Sequence, residues 1–227
     1  MHDLRSNRQN LINSLRQQGV WLIGYLLILS IVAWLCTEVW EREAFSFDRS
    51  LLLQIHQFAN PQLDGVMLFI TSLGDPGMVV TVFISTIAWL GMKRRYSDGI
   101  RFLIICAGGV SINLAMKLFF AKPRPELWTR LISETSFSFP SGHAVGSMVV
   151  YGFIGYIFAR EFPVYRRYIY AAASILIIAI GFSRLYLGVH YPTDIIAGYG
   201  VGILWLTTCL KVRFQISDLT DTRRLIK

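Results

Sequence analysis

Charge is scarce in this 227-residue sequence: 16% of residues are Asp, Glu, Lys or Arg, against 54% hydrophobic. A chain so apolar does not stay disordered, and its length suits one domain. Cysteine is scarce too. Cys36, Cys106 and Cys209 share no metal-ligand or disulfide spacing and lie in or beside apolar segments, so they read as packing residues. No internal repeat and no Ser/Gly/Pro-rich linker divides the chain, which excludes a solenoid or a string of modules. Of the charges present, 22 are basic and 14 acidic, a net +8. Such an excess points to an anionic partner, but nucleic-acid binding needs the cations gathered on one face of a soluble fold. Here they are dispersed between long apolar runs, and no nucleic-acid partner is expected.

Six stretches of at least 15 residues hold no charged residue: 17–37, 76–92, 102–116, 135–159, 168–183 and 195–210. A membrane-spanning helix takes about 17–25 residues. The first, second and fourth stretches reach that length alone, and the others do so once Lys and Arg at their ends extend into the headgroup region. A soluble bundle would show polar helix faces, whereas Gly77–Met92 offers nothing more polar than Thr and Ser. The expected fold is all-α: an integral membrane bundle of six transmembrane helices forming a single domain over residues 1–227. The first stretch starts too far from Met1, and lacks a small-residue cleavage pattern, for a removable signal peptide; it is expected to stay as an anchor. Leu63–Leu73, ahead of the break Leu73-Gly74-Asp75-Pro76-Gly77, suits either an interfacial helix or an extension of the second span.

With six spans, both termini fall on one side. That side holds 15 of the 22 basic residues: Arg5, Arg8, Arg16, Lys93, Arg94, Arg95, Arg101, Arg160, Arg166, Arg167, Lys211, Arg213, Arg223, Arg224 and Lys227. The other side holds Arg42, Arg49, Lys117, Lys122, Arg124, Arg130 and Arg184. The excess of Lys and Arg marks the cytoplasm, so both termini are expected there, with a cytoplasmic segment over 1–19 and a cytoplasmic tail over 211–227. The opposite face then carries loops 38–62, 121–142 and 183–194.

Those outer loops concentrate polar residues at helix ends. Lys117 closes the third span and precedes Lys122-Pro123-Arg124-Pro125; Pro140-Ser141-Gly142-His143 opens the fourth; Ser183-Arg184 closes the fifth; His190-Tyr191-Pro192-Thr193-Asp194 opens the sixth. Each alone has an ordinary explanation. Lys117 could extend its ammonium from a helix end, Arg124 could be a solvated loop charge, His143 could cap or pack, and His190 with Asp194 at i, i+4 could be a local pair. Together they bring two histidines, one carboxylate and several cations to one face beside a Ser-Gly helix start, and ionisable groups at membrane depth default to function. A helix N-terminus presents free N–H groups to an anion, Gly142 allows close approach, and two guanidiniums with an ammonium suit phosphate oxygens. Two histidines then supply a nucleophile and a proton donor for phosphate-ester cleavage, and Asp194 can orient His190. His143 has no partner within its own motif and suits the acid. No carboxylate cluster is present for Mg²⁺, and His190, Asp194 and one distant histidine make a poor zinc set, so neither a metal nor another cofactor is expected.

The pattern resembles the type 2 phosphatidic acid phosphatase family, the membrane lipid phosphatase branch of the acid phosphatase and vanadium haloperoxidase superfamily. Lys117, six residues, Arg124-Pro125; Pro140-Ser141-Gly142-His143; and Ser183-Arg184, five residues, His190, three residues, Asp194 fill that family's motifs in order over 117–194. The resemblance implies a phosphohistidine mechanism, with His190 as nucleophile, Asp194 orienting it, and His143 as acid and then base. Lys117, Arg124, Ser141, Gly142 and Arg184 would hold the phosphoryl oxygens.

The implied partner is a membrane lipid phosphate in the bilayer. Phosphatidate, phosphatidylglycerol phosphate, diacylglycerol pyrophosphate and undecaprenyl pyrophosphate all fit, and the site is expected at the exterior or periplasmic face of a bacterial inner membrane. Two other readings compete: a phosphotransferase using the same intermediate, and a non-catalytic headgroup-binding protein. Trp128, Phe137 and Phe139 read either as an interfacial aromatic belt or as the lining of a lipid entry.

Overall fold

Proline and small polar residues begin most of the helices in this chain, which sets where each helix end, and hence each polar loop, falls. The computed structural model describes residues 2–41 and 46–212. Arg42, Arg213, Arg223, Arg224 and Lys227, and with them all but the start of the expected C-terminal tail, lie outside the described residues. Among those described there are eight α-helices: α1 His2–Trp40, α2 Ser46–His56, α3 Pro61–Ser72, α4 Pro76–Met92, α5 Tyr96–Phe120, α6 Gly142–Glu161, α7 Arg166–Tyr186 and α8 Pro192–Lys211. Asn60 caps α3 by accepting from Leu63 N at 3.0 Å, and Pro61, Pro76 and Pro192 occupy first turns, where a missing N–H costs nothing. A short 3₁₀ turn, Pro163–Tyr165, reverses the chain between α6 and α7.

Among the described residues, five helices are long and apolar enough to cross a bilayer, and six such spans result if α3 and α4, bent by 45° at their junction, count as one. Leu63–Leu73 therefore belongs to a helix of its own that adjoins the second span at an angle. Many large apolar side chains face outward along these helices, among them Ile23, Leu27, Val110, Leu114, Leu118 and Ile175. So much contiguous apolar surface is untenable in water and natural against lipid. The described residues are all-helical, and the chain is an integral, multi-pass membrane protein.

α6 and α8 form the centre: 56% of the residues in each spanning stretch are buried, against 11% in α1. Phe102 of α5 stacks on Phe153 of α6 with ring centroids 4.6 Å apart, within a core that includes Leu90, Ile105, Val149, Ile157 and Val201. Glycines let α8 approach its neighbours closely, as small residues do where no hydrophobic effect drives helices together. A Cβ on Gly198 would lie 2.7 Å from Ala144 Cβ and 2.9 Å from Ser141 O, one on Gly200 2.4 Å from Val32, and one on Gly202 2.7 Å from Met148.

The loops sort to two ends. At one, Asp48 of α2 accepts from Thr193 N at 3.0 Å and from its hydroxyl at 2.7 Å, and His56 stacks on Trp128 at 4.0 Å. At the other, Arg95, Arg101 and Arg160 surround Asp98 at 2.8, 3.5 and 3.3 Å, and Arg95 also pairs with Glu161 at 3.0 Å. Phe139 corrects the aromatic reading. It neither belts the interface nor lines an opening, but is fully buried against Leu35, Val39 and Ala197; Trp128 is half-buried on His56, and Phe137 alone of the three is exposed.

Candidate active site

The first end gathers all eight residues singled out in the sequence: Lys117 from the last turn of α5, Arg124 from the following loop, Ser141, Gly142 and His143 from the start of α6, Arg184 from the last turn of α7, and His190 and Asp194 around the start of α8. Local geometry explains how. Ala121 turns left-handed (φ 45°) while its N–H bonds Lys117 O, ending α5 and sending Lys122 and Arg124 back toward the bundle. Gly188 (φ 68°) turns the chain out of α7, and Trp128 packs where a side chain would stand, since a Cβ there would lie 2.6 Å from the indole.

His190 and Asp194 are almost wholly buried. Asp194 Oδ2 accepts from Ser138 Oγ at 2.5 Å and Tyr191 N at 2.9 Å, and Oδ1 accepts from Lys122 Nζ at 2.8 Å. His190 Nδ1 lies 3.5 Å from Asp194 Oδ2 and 3.4 Å from Ser138 Oγ, while Arg124 Nη1 approaches His190 Nε2 at 3.1 Å. A guanidinium only donates. Nε2 is therefore the acceptor, which puts the ring proton on Nδ1, on the Asp194 side. Burial pushes His190 down to about 3; the Asp194 hydrogen bond and charge oppose that shift, and Arg124 and Arg184 add to it. The imidazole is neutral at physiological pH with its lone pair on Nε2.

Around this nitrogen lie the cations. Arg124 is held by Ser136 O at 2.7 Å and Val189 O at 2.8 Å, and Lys117 donates to Phe137 O. Arg184, 1% exposed, donates to Thr71 Oγ1 at 2.7 Å and pairs with Glu134, and its buried Nε meets no acceptor among the described residues. Glu134 also reaches Arg124 at 3.5 Å, so one carboxylate links both guanidiniums. Burial raises the Glu134 carboxyl, but Arg184 and Arg124 outweigh it and leave it below its ordinary value. Ser141 caps α6 by accepting from Ala144 N at 3.4 Å, and its own N–H is taken by Asp194 O at 3.0 Å. The Gly142 and His143 amides, in the first turn, have no intrahelical acceptor. A Cβ on Gly142 would stand 3.4 Å from Asn113 Oδ1 and 4.0 Å from Lys117 Cε, which puts the Lys117 stem beside this helix start.

His143 does have a carboxylate partner, on another helix: its Nε2 is 2.9 Å from Asp75 Oδ1. Asp75, Glu134, Ser138 and Thr71 were not found by sequence reasoning. Asp75 had a signal, since it sits in the break that interrupts otherwise smooth helices, and Lys122 stands inside the Lys-Pro-Arg-Pro run. Glu134 and Ser138 lie in an irregular loop where spacing carries no information. Among the described residues, no three His, Cys, Asp or Glu side chains are grouped so as to hold a metal ion.

An integral membrane bundle carrying a buried His–Asp pair and a cluster of cations at one end defines a class, and known proteins of similar sequence and structure fall in it. A family model for the PAP2 superfamily matches residues 98–218, and the chain belongs to that superfamily. It is 32% identical to phosphatidylglycerophosphatase B of Bacillus subtilis (strain 168) over 147 residues, 63% of this chain and 72% of that one. It is 28% identical to an undecaprenyl-diphosphatase of Sulfolobus acidocaldarius over 194 residues, covering 83% of this chain and 88% of that one. The crystal structure of a transmembrane PAP2-type phosphatidylglycerolphosphate phosphatase from Bacillus subtilis superposes with a TM-score of 0.72 at 28% identity, covering 84% of this chain and 96% of that one.

Proposed function

We propose that this protein hydrolyses lipid phosphates or pyrophosphates, without a metal, through a phosphohistidine on His190. The observation that carries the reading is the buried, neutral His190, whose Nε2 lone pair meets Arg124 at 3.1 Å while its other nitrogen faces Asp194. A phosphoryl group inserted between Nε2 and Arg124 would meet a nucleophile on one side and cations on the other.

In the first step the Nε2–P bond forms and the P–O bond to the lipid breaks, His143 giving a proton to the departing oxygen. The Asp194 carboxylate offsets the charge that develops on the His190 ring. In the second step water attacks phosphorus, His143 takes its proton, and the N–P bond breaks to release inorganic phosphate. Lys117, Arg124, Arg184 and the first amides of α6 would hold the equatorial oxygens, whose charge spreads in the transition state. Glu134, which links both guanidiniums, would give way as phosphate enters. Ser141 Oγ, which accepts from Ala144 N, would donate its O–H to a phosphoryl oxygen.

The asymmetry of basic residues supports cytoplasmic termini and a site opening on the outer face, and the similarity to a Bacillus subtilis phosphatase supports a bacterial inner membrane. Relatives named for phosphatidylglycerol phosphate and for undecaprenyl diphosphate support a lipid headgroup substrate and put those two first for assay. The test is phosphate release from micelles of the four candidate lipids, with His190→Ala as blank. The wild type should cleave at least one, resist EDTA and be inhibited competitively by orthovanadate. The His190→Ala variant should lose at least about 10³ in rate, since no other group replaces the nucleophile. Retained activity in His190→Ala would overturn the mechanism, and strong EDTA sensitivity would overturn its independence of metal.

A further inference from the structure

Three consecutive residues at the junction of α3 and α4 are each committed to contacts beyond their own helix. Leu73 O accepts from Tyr151 OH of α6 at 2.5 Å. Gly74 lies against the His143 ring, where a Cβ would come within 2.7 Å of His143 Cδ2 and of Ile180 Cγ2, so no larger residue fits without moving the imidazole. Asp75 holds His143 Nε2 at 2.9 Å. Asp75 is also the N-cap residue of α4, followed by Pro76, a position where an Asp side chain ordinarily accepts from the amides of the first turn. It makes no such bond here. Its carboxylate is directed to the histidine instead, at the expense of its own helix.

We propose that Asp75 is the positioning residue for His143, and that it makes Nδ1, rather than Nε2, the nitrogen that exchanges protons with substrate. An ionised carboxylate only accepts, so Nε2 keeps its hydrogen on Asp75 in both protonation states of the ring. When the P–O bond to the lipid breaks as the His190–P bond forms, the proton leaves Nδ1 of the His143 imidazolium for the lipid oxygen. When water attacks, Nδ1 takes the proton back. Asp75 stabilises the imidazolium in each case and fixes the ring beside Gly74. The α3–α4 bend is thus part of the catalytic apparatus: a straight helix there could not present Leu73, Gly74 and Asp75 to α6 together.

This inference rests on the reading of His143 as acid and base, and its test separates the two. A poor leaving group needs the proton and a good one does not, so kcat/KM is compared on two phosphate monoesters with the same tail, one of an alkyl alcohol and one of an alkyl-substituted nitrophenol. Asp75→Asn should lose on the order of 10–100-fold on the alkyl ester, within the range general acids supply, and change little on the nitrophenyl ester. The nitrophenyl arm also counts correctly folded enzyme. An equal loss in both arms would make Asp75 merely structural, and no loss in either would remove it from the reaction. If His143→Gln hits both arms equally, the acid role of His143 fails and the inference with it. If His143→Gln is selective for the alkyl ester and Asp75→Asn is not, Asp75 alone is misassigned. Should Asp75→Asn fold poorly, Asp75→Ser, which can cap α4, carries the same expectation.

Discussion

His190 was taken from water to a site where only its neutral form is comfortable, and that has a consequence for stability as well as for chemistry. Its pKa in the folded protein, pushed down to about 3, lies below the value of about 6.5 that it has when unfolded. Between those two values the unfolded chain binds a proton that the folded one refuses, so stability is complete above the upper value and is lost as pH falls toward the lower one. The slope from this residue alone is at most about 1.4 kcal/mol per pH unit. His190→Gln has no such proton to bind. Thermal unfolding in detergent between pH 7 and 5 should therefore show a steeper fall for wild type than for His190→Gln, and parallel curves would contradict the buried neutral imidazole.

At the scale of helices, the start of α8 against the start of α6 decides whether the site exists. Ser141 N bonds Asp194 O, and Gly198 leaves room for Ala144 and for the Ser141 carbonyl. Gly198→Ala would force the two starts apart against backbone, an overpacking cost of about 1–3 kcal/mol. It should lower the melting temperature and weaken kcat together. Gly146, on α6, has open space at the Cβ position. Gly146→Ala should leave stability unchanged or raise it by up to about 1 kcal/mol, seen as an equal or higher melting temperature, and leave activity unchanged. These helix-scale facts also explain what could be read from the chain. His190 and Asp194 are one turn apart, so a single helix start brings them together, and proline and serine mark that start and the one at Ser141. Asp75 and His143 are 68 positions apart and Asp48 and Thr193 are 145 apart, each pair brought together only by how helices pack. Apolar length foretold most of the spans. It could not foretell the bend before Pro76, because a broken helix and a continuous one have the same hydropathy.

Over the whole molecule, the ion network around Asp98 and the histidine site lie at opposite ends, and the proposed topology puts the Asp98 end in the cytoplasm. Ser133 and Ser97 are both exposed, one at each end. In intact cells a membrane-impermeant maleimide should label Ser133→Cys at once and Ser97→Cys only after permeabilisation, with the wild type, which carries Cys36, Cys106 and Cys209, as background. The opposite order would invert the topology. The link from Glu134 to both Arg124 and Arg184 bears on turnover, not only on binding. In the proposed cycle inorganic phosphate, the last product to leave, would depart from guanidiniums that have a carboxylate of their own waiting to return. Each release would then be an exchange of one anion for another rather than the exposure of two bare cations, and the return of Glu134 would shorten the residence of product. The proposed cycle would close on a residue that takes no part in breaking a bond.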